Sequence, residues 1–394
     1  MRRAAAFALF VVLGGARALH AQLPEIRGYY LNVPTWSDST AFATGGFGDL
    51  NRLRLMTGIR HADFALDVAY EQLLGLTQRA GGNPVAVFGG VVPGGGEWLP
   101  LEWTIESSDH VSWRHRFDRV SLSWTPGRTA RAVAGRQAIS WATTLYLTPA
   151  DPFVPFDPSD PFREYRAGVD AIRLQLFPGP LSDIDLVVRV AEYSIGRTVT
   201  ALARGRTVWR SWELSGWLGV LHDEAALAVG ATGALGGVAV RGEAELRESG
   251  DDLVFRGTVG LDGRAQAFDR DLYYVFEYQR DGFGAAGPEE LTRVVASDAF
   301  ARGELQVLGR DELMAQGSYQ LHPLWTLTLL ALTNLDDPSL LLTPGVSHSL
   351  TDELTASGGL FLGFGADTPT RDVPLPSEYG LVPAFVYLSV TVFF

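Results

Sequence analysis

The sequence contains no cysteine, which excludes a disulfide scaffold and any thiolate metal site. It also lacks lysine, so all 32 basic residues are arginine, and the formal net charge is −13. A nucleic-acid binder normally carries a basic footprint, and this chain has none. Nowhere does it offer the roughly 20 consecutive apolar residues that a membrane-spanning helix requires. Charged residues make up only 20% of the chain. What is abundant is the material of strands and turns: 44 glycines, 21 phenylalanines, 12 tyrosines and 10 tryptophans among 394 residues, a bias toward β-structure rather than long helices.

The first residues read as an address. Arg2 and Arg3 precede the apolar run Ala4 to Leu13, and small residues follow. This is the order of regions in a secretory signal peptide. Cleavage is expected after Ala21, with Ala16-Arg17-Ala18 as an alternative small-x-small match. The expected organisation is therefore a signal peptide over 1–21 and a single domain over 22–394.

The remainder alternates with period two. Val386, Leu388, Val390, Val392 and Phe394 share one face of the C-terminal segment, and Tyr387, Ser389 and Thr391 share the other. Phe64, Leu66, Val68 and Tyr70 alternate with Asp63, Asp67 and Glu71. Ile184, Leu186, Val188 and Val190 alternate with Asp185 and Arg189, and Leu272, Tyr274, Phe276 and Tyr278 with Glu277 and Gln279. A soluble sandwich would bury the apolar faces in a shared dry core. An outer-membrane barrel turns them to lipid and lines a wet lumen with the polar ones. The export signal and the terminal aromatic favour the barrel.

About 18 strand windows are present, with 16 or 20 as alternatives, so the expected fold is all-β: a single transmembrane antiparallel β-barrel. The windows begin near Glu25, Asn51, Ala62, Arg114, Thr129, Gly168, Asp183, Arg197, Thr207, Glu224, Gly237, Asp252, Arg270, Asp311, Leu324, Ser339, Glu353 and Val382. With the N-terminus in the periplasm, alternate connections should be long on the cell exterior and short on the periplasmic side. Five long ones, Pro34–Leu50, Leu74–Trp113, Ile139–Ala167, Asp281–Arg310 and Gly365–Leu381, all fall on the exterior side. Asp298 to Gly309 reads as loop.

Gly135-Arg136-Gln137, then Trp141, a Pro/Asp-rich loop and Tyr165-Arg166-Ala167-Gly168-Val169-Asp170 resemble the alginate-export and related porin-like families of Gram-negative outer membranes. The resemblance implies a bacterial outer-membrane barrel surrounded by lipid, with Arg136 in the lumen and Phe394 as the signal read by the barrel-assembly machinery. Trp141 is followed by Ala142 where that pattern has glycine.

Placed side by side, the windows put Arg54, Arg119, Arg173 and Arg189 near mid-height on neighbouring strands, with Arg136 higher. Glu243, Glu245 and Glu277 take a similar height across the barrel. A pore with cations on one wall and carboxylates on the other has a transverse field that orients charged solutes. The alternative is that the same groups form interior salt bridges that only stiffen the wall. The loop Thr148 to Arg166, with Asp151, Asp157, Asp160 and Glu164 among prolines, is expected to fold into the pore, to hold calcium through its carboxylates, or to stand as a plain exterior loop.

Catalysis has little support. Ser347 precedes His348, but no nucleophile elbow or metal-binding histidine pair is present, and His61, His110, His115, His222 and His322 are scattered. No cofactor or metal is implied. A plugged, energy-coupled transporter needs about 22 strands, more than this length allows. The reading is an outer-membrane channel, a porin or export pore, for small or linear hydrophilic solutes, expected to be anionic and to include acidic saccharides. A structural or adhesive barrel acting through its loops, or a barrel enzyme, are the alternatives.

Overall fold

The computed structural model describes residues 25–42, 44–79, 96–153, 158–162 and 165–394. The expected export signal lies outside the described residues, as do Asp157 and Glu164 of the proline-rich loop. The chain begins with β1 (Arg27–Ser37), β2 (Gly46–His61), β3 (Phe64–Thr77), β4 (Glu102–Ser107), β5 (Val111–Trp124) and β6 (Ala130–Gln137). It continues through β7 (Val169–Gly179), β8 (Ser182–Tyr193), β9 (Gly196–Trp209), β10 (Trp212–Leu221), β11 (Glu224–Leu235), β12 (Val238–Ser249), β13 (Asp252–Ala267) and β14 (Arg270–Asp281). Two short helices, α1 (Pro288–Val295) and α2 (Asp298–Ala301), precede β15 (Asp311–His322), β16 (Trp325–Asn334), β17 (Ser339–Ser349), β18 (Leu354–Phe364) and β19 (Phe385–Phe393).

Every pairing between these strands is antiparallel, and the sheet closes because β1 pairs with both β2 and β19, with Asn32 opposite Asn51 on one side and opposite Val390 on the other. Closure matters physically, since in lipid an open edge would leave backbone donors and acceptors without partners. β4 adds no strand to the circumference. It pairs with β5 at residues 112–116, while β6 pairs with the same edge of β5 at residues 120–124, so the two share one column at different heights. The circumference is therefore 18 strands.

The alternation resolves as the lipid-and-lumen assignment requires. On β19, Leu388 is 64% exposed on the outer face and its neighbour Ser389 is 4% exposed on the inner one. Ile172, Val188, Leu218, Val229 and Val259 stand out on other strands in the same way. At one end the connections are tight. Phe268 and Asp269 both have positive φ (50° and 60°), the geometry of two-residue hairpins whose twist matches the strands. The long connections all lie at the opposite end, here the loop end.

Several windows shift. Thr207 belongs to β9, where it pairs with Leu214, and β10 starts at Trp212. The 34–50 connection shrinks to residues 38–45 because β1 and β2 both extend toward the loop end. β4 was not expected at all. Its six residues alternate properly (Trp103 and Ile105 against Glu102, Thr104 and Glu106), but only a partner above the end of β6 gives so short a segment a ladder to join. The 298–309 segment contains α2 and no strand.

If β19 faces lipid through Leu388, arginine there should lower the unfolding free energy in liposomes by about 2–4 kcal/mol, the cost of a midplane cation. Ser389→Arg should cost far less, and equal losses for the two variants would contradict the assignment.

Candidate pore constriction

The barrel is filled on its loop side by its own connections. The segment after β6 turns inward and buries Ile139, Trp141, Leu147, Ala150 and Phe153, with Trp141 and Phe153 packed edge to face at 5.0 Å. All but Leu147 join Val187, Leu202 and Trp217 of the wall in one apolar cluster, while Leu147 packs in a second cluster with Phe162 and Tyr387, and Trp217 Nε1 donates to the Ala150 carbonyl at 3.1 Å. Burying apolar side chains of this size contributes roughly 1.5–3 kcal/mol each, which offsets the ordering of a loop that crosses the lumen.

That loop has no ladder to satisfy its backbone, and two wall carboxylates serve instead. Glu243 accepts the Thr143, Thr144 and Ala150 N–H groups at 2.6, 3.2 and 3.2 Å. Glu277 accepts those of Leu145, Tyr146 and Leu147 at 2.7, 3.0 and 2.8 Å. The connection between β14 and β15 also reaches in. Gln306 accepts from the Thr148 amide at 2.5 Å and donates to the Tyr146 carbonyl at 2.7 Å. Nearby Glu304 is buried, which works against ionisation, yet Arg247, Arg302 and Arg256 hold its carboxyl well below the usual range.

Arginines of β2, β5, β7 and β8 stand on the opposite wall, those of β2 and β5 joined through Glu71 and Asp118. Arg54 binds Asp118 at 2.5 Å, with its guanidinium over the Tyr165 ring at 4.6 Å. Arg119 binds the same Asp118 at 2.6 Å and also donates to the Arg166 carbonyl. Arg52 donates to the Phe162 carbonyl at 2.8 Å, and Arg116 to Glu71 at 2.6 Å. Arg173 forks onto Asp185 through contacts of 2.5, 2.9 and 3.0 Å, and that carboxylate also accepts Trp141 Nε1 at 3.1 Å. Arg189 has no carboxylate within ion-pair reach among the described residues. It donates to the Gly96 carbonyl at 3.1 Å, and Gly96 has a φ of 80°, in the left-handed region that favours glycine.

The eight expected lumen residues therefore separate. Arg54, Arg119, Arg173 and Arg189 share the inner wall. Glu243 and Glu277 are on the far wall but are turned to loop amides and buried, not presented to open water. Glu245, also buried, is 3.8 Å from Arg256, which in turn forks onto Asp281. Arg136 stands apart. Its register partners Val120 and Asp170 put it in phase with Leu122 and Ile172 on the outer face. The segment after residue 96 covers it, with Arg136 donating to Asp170 and to the Leu99 carbonyl at 2.8 Å each, and Trp98 and Leu99 N–H groups donating to Asp170. It is a rim lock rather than part of that arginine wall.

Asp118 was hidden from the sequence because strict alternation puts it opposite Arg119. A β-bulge lets Ala69 pair with Arg119 and Tyr70 with Phe117, and the extra residue brings both charges into the lumen. Of the loop carboxylates, Asp151 is taken by Arg166 at 2.6 Å and Ser140 Oγ at 2.9 Å, and among the described residues no three acidic or histidine side chains group as metal ligands.

Beside the in-folded loop lies a cavity of about 420 Å³, walled by β15–β19 and β1 and roofed by residues 158–162. Its lining is hydroxylated and aromatic, including Thr343, Ser357, Ser389, Thr391 and Tyr387, and Asp160 is its one carboxylate. The interior is thus two-sided, with guanidinium groups on one flank and neutral hydroxyls on the other.

No protein-family model matches the sequence, and no curated protein is similar in sequence. Solved structures are similar in fold: the closed barrel is that of outer-membrane porins. OpdK of Pseudomonas aeruginosa, determined with vanillate, shares 11% identity at a TM-score of 0.53, over 94% of this chain and 98% of that one. A BenF-like porin of Pseudomonas fluorescens Pf-5 shares 9% at 0.54, over 95% and 99%. OccAB1 of Acinetobacter baumannii shares 9% at 0.52, over 94% and 96%.

Asp118→Asn leaves Arg54, which is 3% exposed, with only Glu71 at 4.0 Å, and breaking one partner of a buried pair costs about 3–5 kcal/mol. Urea unfolding from liposomes should show that loss, and the apolar pair Arg54→Met with Asp118→Leu should lose less than the single variant. A single-variant loss under about 1 kcal/mol would mean these pairs are solvated rather than interlocked.

Proposed function

We propose that this protein is an outer-membrane diffusion channel for small hydrophilic organic anions. The observation that carries the reading is the asymmetry of the constriction. Glu243 and Glu277 spend their charge on loop amides, whereas the Arg119 and Arg173 side chains, though paired with Asp118 and Asp185, keep 16% and 18% exposure. At close range and with little intervening water, partly exposed guanidinium groups outweigh the chain's many peripheral carboxylates, which salt screens over about 8 Å. An anionic head would travel along the arginines while the body of the solute meets the hydroxyls and rings of the cavity wall. OpdK, similar in fold, was determined with vanillate, an aromatic carboxylate that fits this description. Acidic saccharides, suggested by the likeness to alginate exporters, fit it too, since they pair a carboxylate with hydroxyls.

The same proposal takes residues 1–21 as the export signal. It also takes Phe394, which is exposed on the outer face and tied to Gly28 by two backbone hydrogen bonds of 2.8 and 3.0 Å, as the residue presented to the barrel-assembly machinery.

Three measurements test this reading. In planar bilayers under a salt gradient, the wild-type zero-current potential should report anion preference, and neutralising Arg119 and Arg173 to glutamine together should move it toward cations. An unmoved potential would remove these side chains from the conducting path. Competition by vanillate and by a uronate for ion current distinguishes the two solute classes. Separately, deletion of Phe394 should lower the heat-modifiable, folded fraction in outer membranes while export to the periplasm continues, and unchanged folding would reduce Phe394 to ordinary lipid-facing packing.

A further inference from the structure

The connection between β18 and β19 docks on the loop-end tips of β15, β16 and β17 through Glu378 and Tyr379. Glu378 Oε1 accepts the Leu308 N–H at 2.7 Å, and its Oε2 accepts the Gly309 N–H and Asn334 Nδ2 at 2.9 Å each. The Glu378 N–H donates to Asp337 at 2.7 Å. Tyr379 donates its N–H to Ser339 Oγ and its hydroxyl to Glu312, both at 3.3 Å. Two adjacent residues thereby join two long connections and the ends of three strands.

Glu312 is the anomaly in this junction. It is 0% exposed, its carboxyl is hydrogen-bonded to that of Glu378 although both are acids, and its Oε1 receives no N–H or hydroxyl donor. The groups that face the pair from each neighbouring element bring no positive charge. They are Gln279 in register on β14, Asn334 in register on β16, Asp336 and Asp337 in the turn before β17, and the Tyr379 hydroxyl. The arginines of the adjoining segments are committed elsewhere, Arg256 to Asp281, Arg280 to Asp311 and Arg310 to Glu290. Two carboxyl groups in contact, out of water and without a cation, cannot both ionise. One proton held between them makes Glu312 a donor and turns the contact into a charge-assisted hydrogen bond. Burial pushes the Glu378 carboxyl above its ordinary range and the Asp337 carboxyl up to about 6, so the surroundings favour keeping that proton.

We infer that the Glu312–Glu378 pair is a proton-dependent latch, which holds the β18–β19 connection and, through Leu308 and Gly309, the β14–β15 connection against the rim while the proton is shared, and lets both go when it is lost. The release reaches the lumen because Gln306, two residues before Leu308, bonds Thr148 and Tyr146 of the in-folded loop. The docked state binds the shared proton more tightly than the released state does. Docking is therefore stabilised at low pH, and that stabilisation fades as pH rises through the value of the docked pair. The two carboxyls titrate as one unit rather than as separate sites. The latch is independent of which solute the channel carries.

The test is the pH dependence of the unit conductance in planar bilayers, read from about pH 6 to about pH 9, well above the ordinary glutamate value. The wild-type conductance should rise and grow noisier toward the alkaline end. In Glu312→Gln the carboxamide donates to Glu378 without titrating, so this channel should hold the wild-type neutral value throughout. Should Glu312→Gln fail to shift on heating, Glu378→Gln supplies a fixed amide donor from the other side of the pair and carries the same expectation of a flat response. A second readout does not depend on conduction. The infrared difference between wild type and variant in detergent at neutral pH should contain the carbonyl band of a protonated carboxyl, and the band should fade over the same pH interval in which the conductance rises. A wild type whose conductance is flat across this range, a folded variant that follows the wild-type pH response, or a difference spectrum without the carboxyl band would each overturn the inference.

Discussion

A backbone that leaves the sheet and enters the lumen must find acceptors for its amides, because unpaired buried N–H groups each cost about 1–3 kcal/mol. In this barrel Glu243 and Glu277 supply them, six amides between two carboxylates. The position of the loop in the lumen depends on that arrangement. The carboxylates hold the loop in place, and in doing so their charge is compensated by amide dipoles. The facing arginines keep part of their charge toward water.

The rest of the interior is organised around this division. From β2 to β5 the wall is an interlocked series of guanidinium and carboxylate groups in which Asp118 serves both Arg54 and Arg119, and Arg173 on β7 pairs separately with Asp185 on β8. From β16 around to β1 the inner face is largely hydroxyl and ring and walls a cavity of about 420 Å³. The partners on the loop side come from three different connections, reaching the wall through Gly96, the residues after Ile139, and Glu304. Because Gln306 bonds the loop held by Glu277, displacing one connection would disturb the other.

Much of the barrel was legible in the sequence. Period-two alternation in Ile184–Val190 or Val386–Phe394 is a direct image of a wall with lipid on one side, and the long connections fell at one end because strand parity leaves no other choice. The site was less so. Which carboxylate meets which arginine depends on register and on a bulge at Asp118 that alternation hides. Glu243 and Glu277 looked like a charged wall, since nothing local marks them as acceptors for amides about 100 and 130 residues earlier in the chain. Arg136 was placed in the lumen by resemblance, while its register partners and the cover of Leu99 put it at the rim.

The most direct test of the account is the single-channel conductance of the double variant Glu243→Ala, Glu277→Ala, set beside the wild type in planar bilayers. If these two carboxylates hold the loop in the lumen, removing both should release it and give a larger and noisier unit conductance from a barrel that still shifts on heating. A folded double variant with wild-type conductance would contradict the central claim that wall carboxylates, by capping the loop's backbone, set the bore.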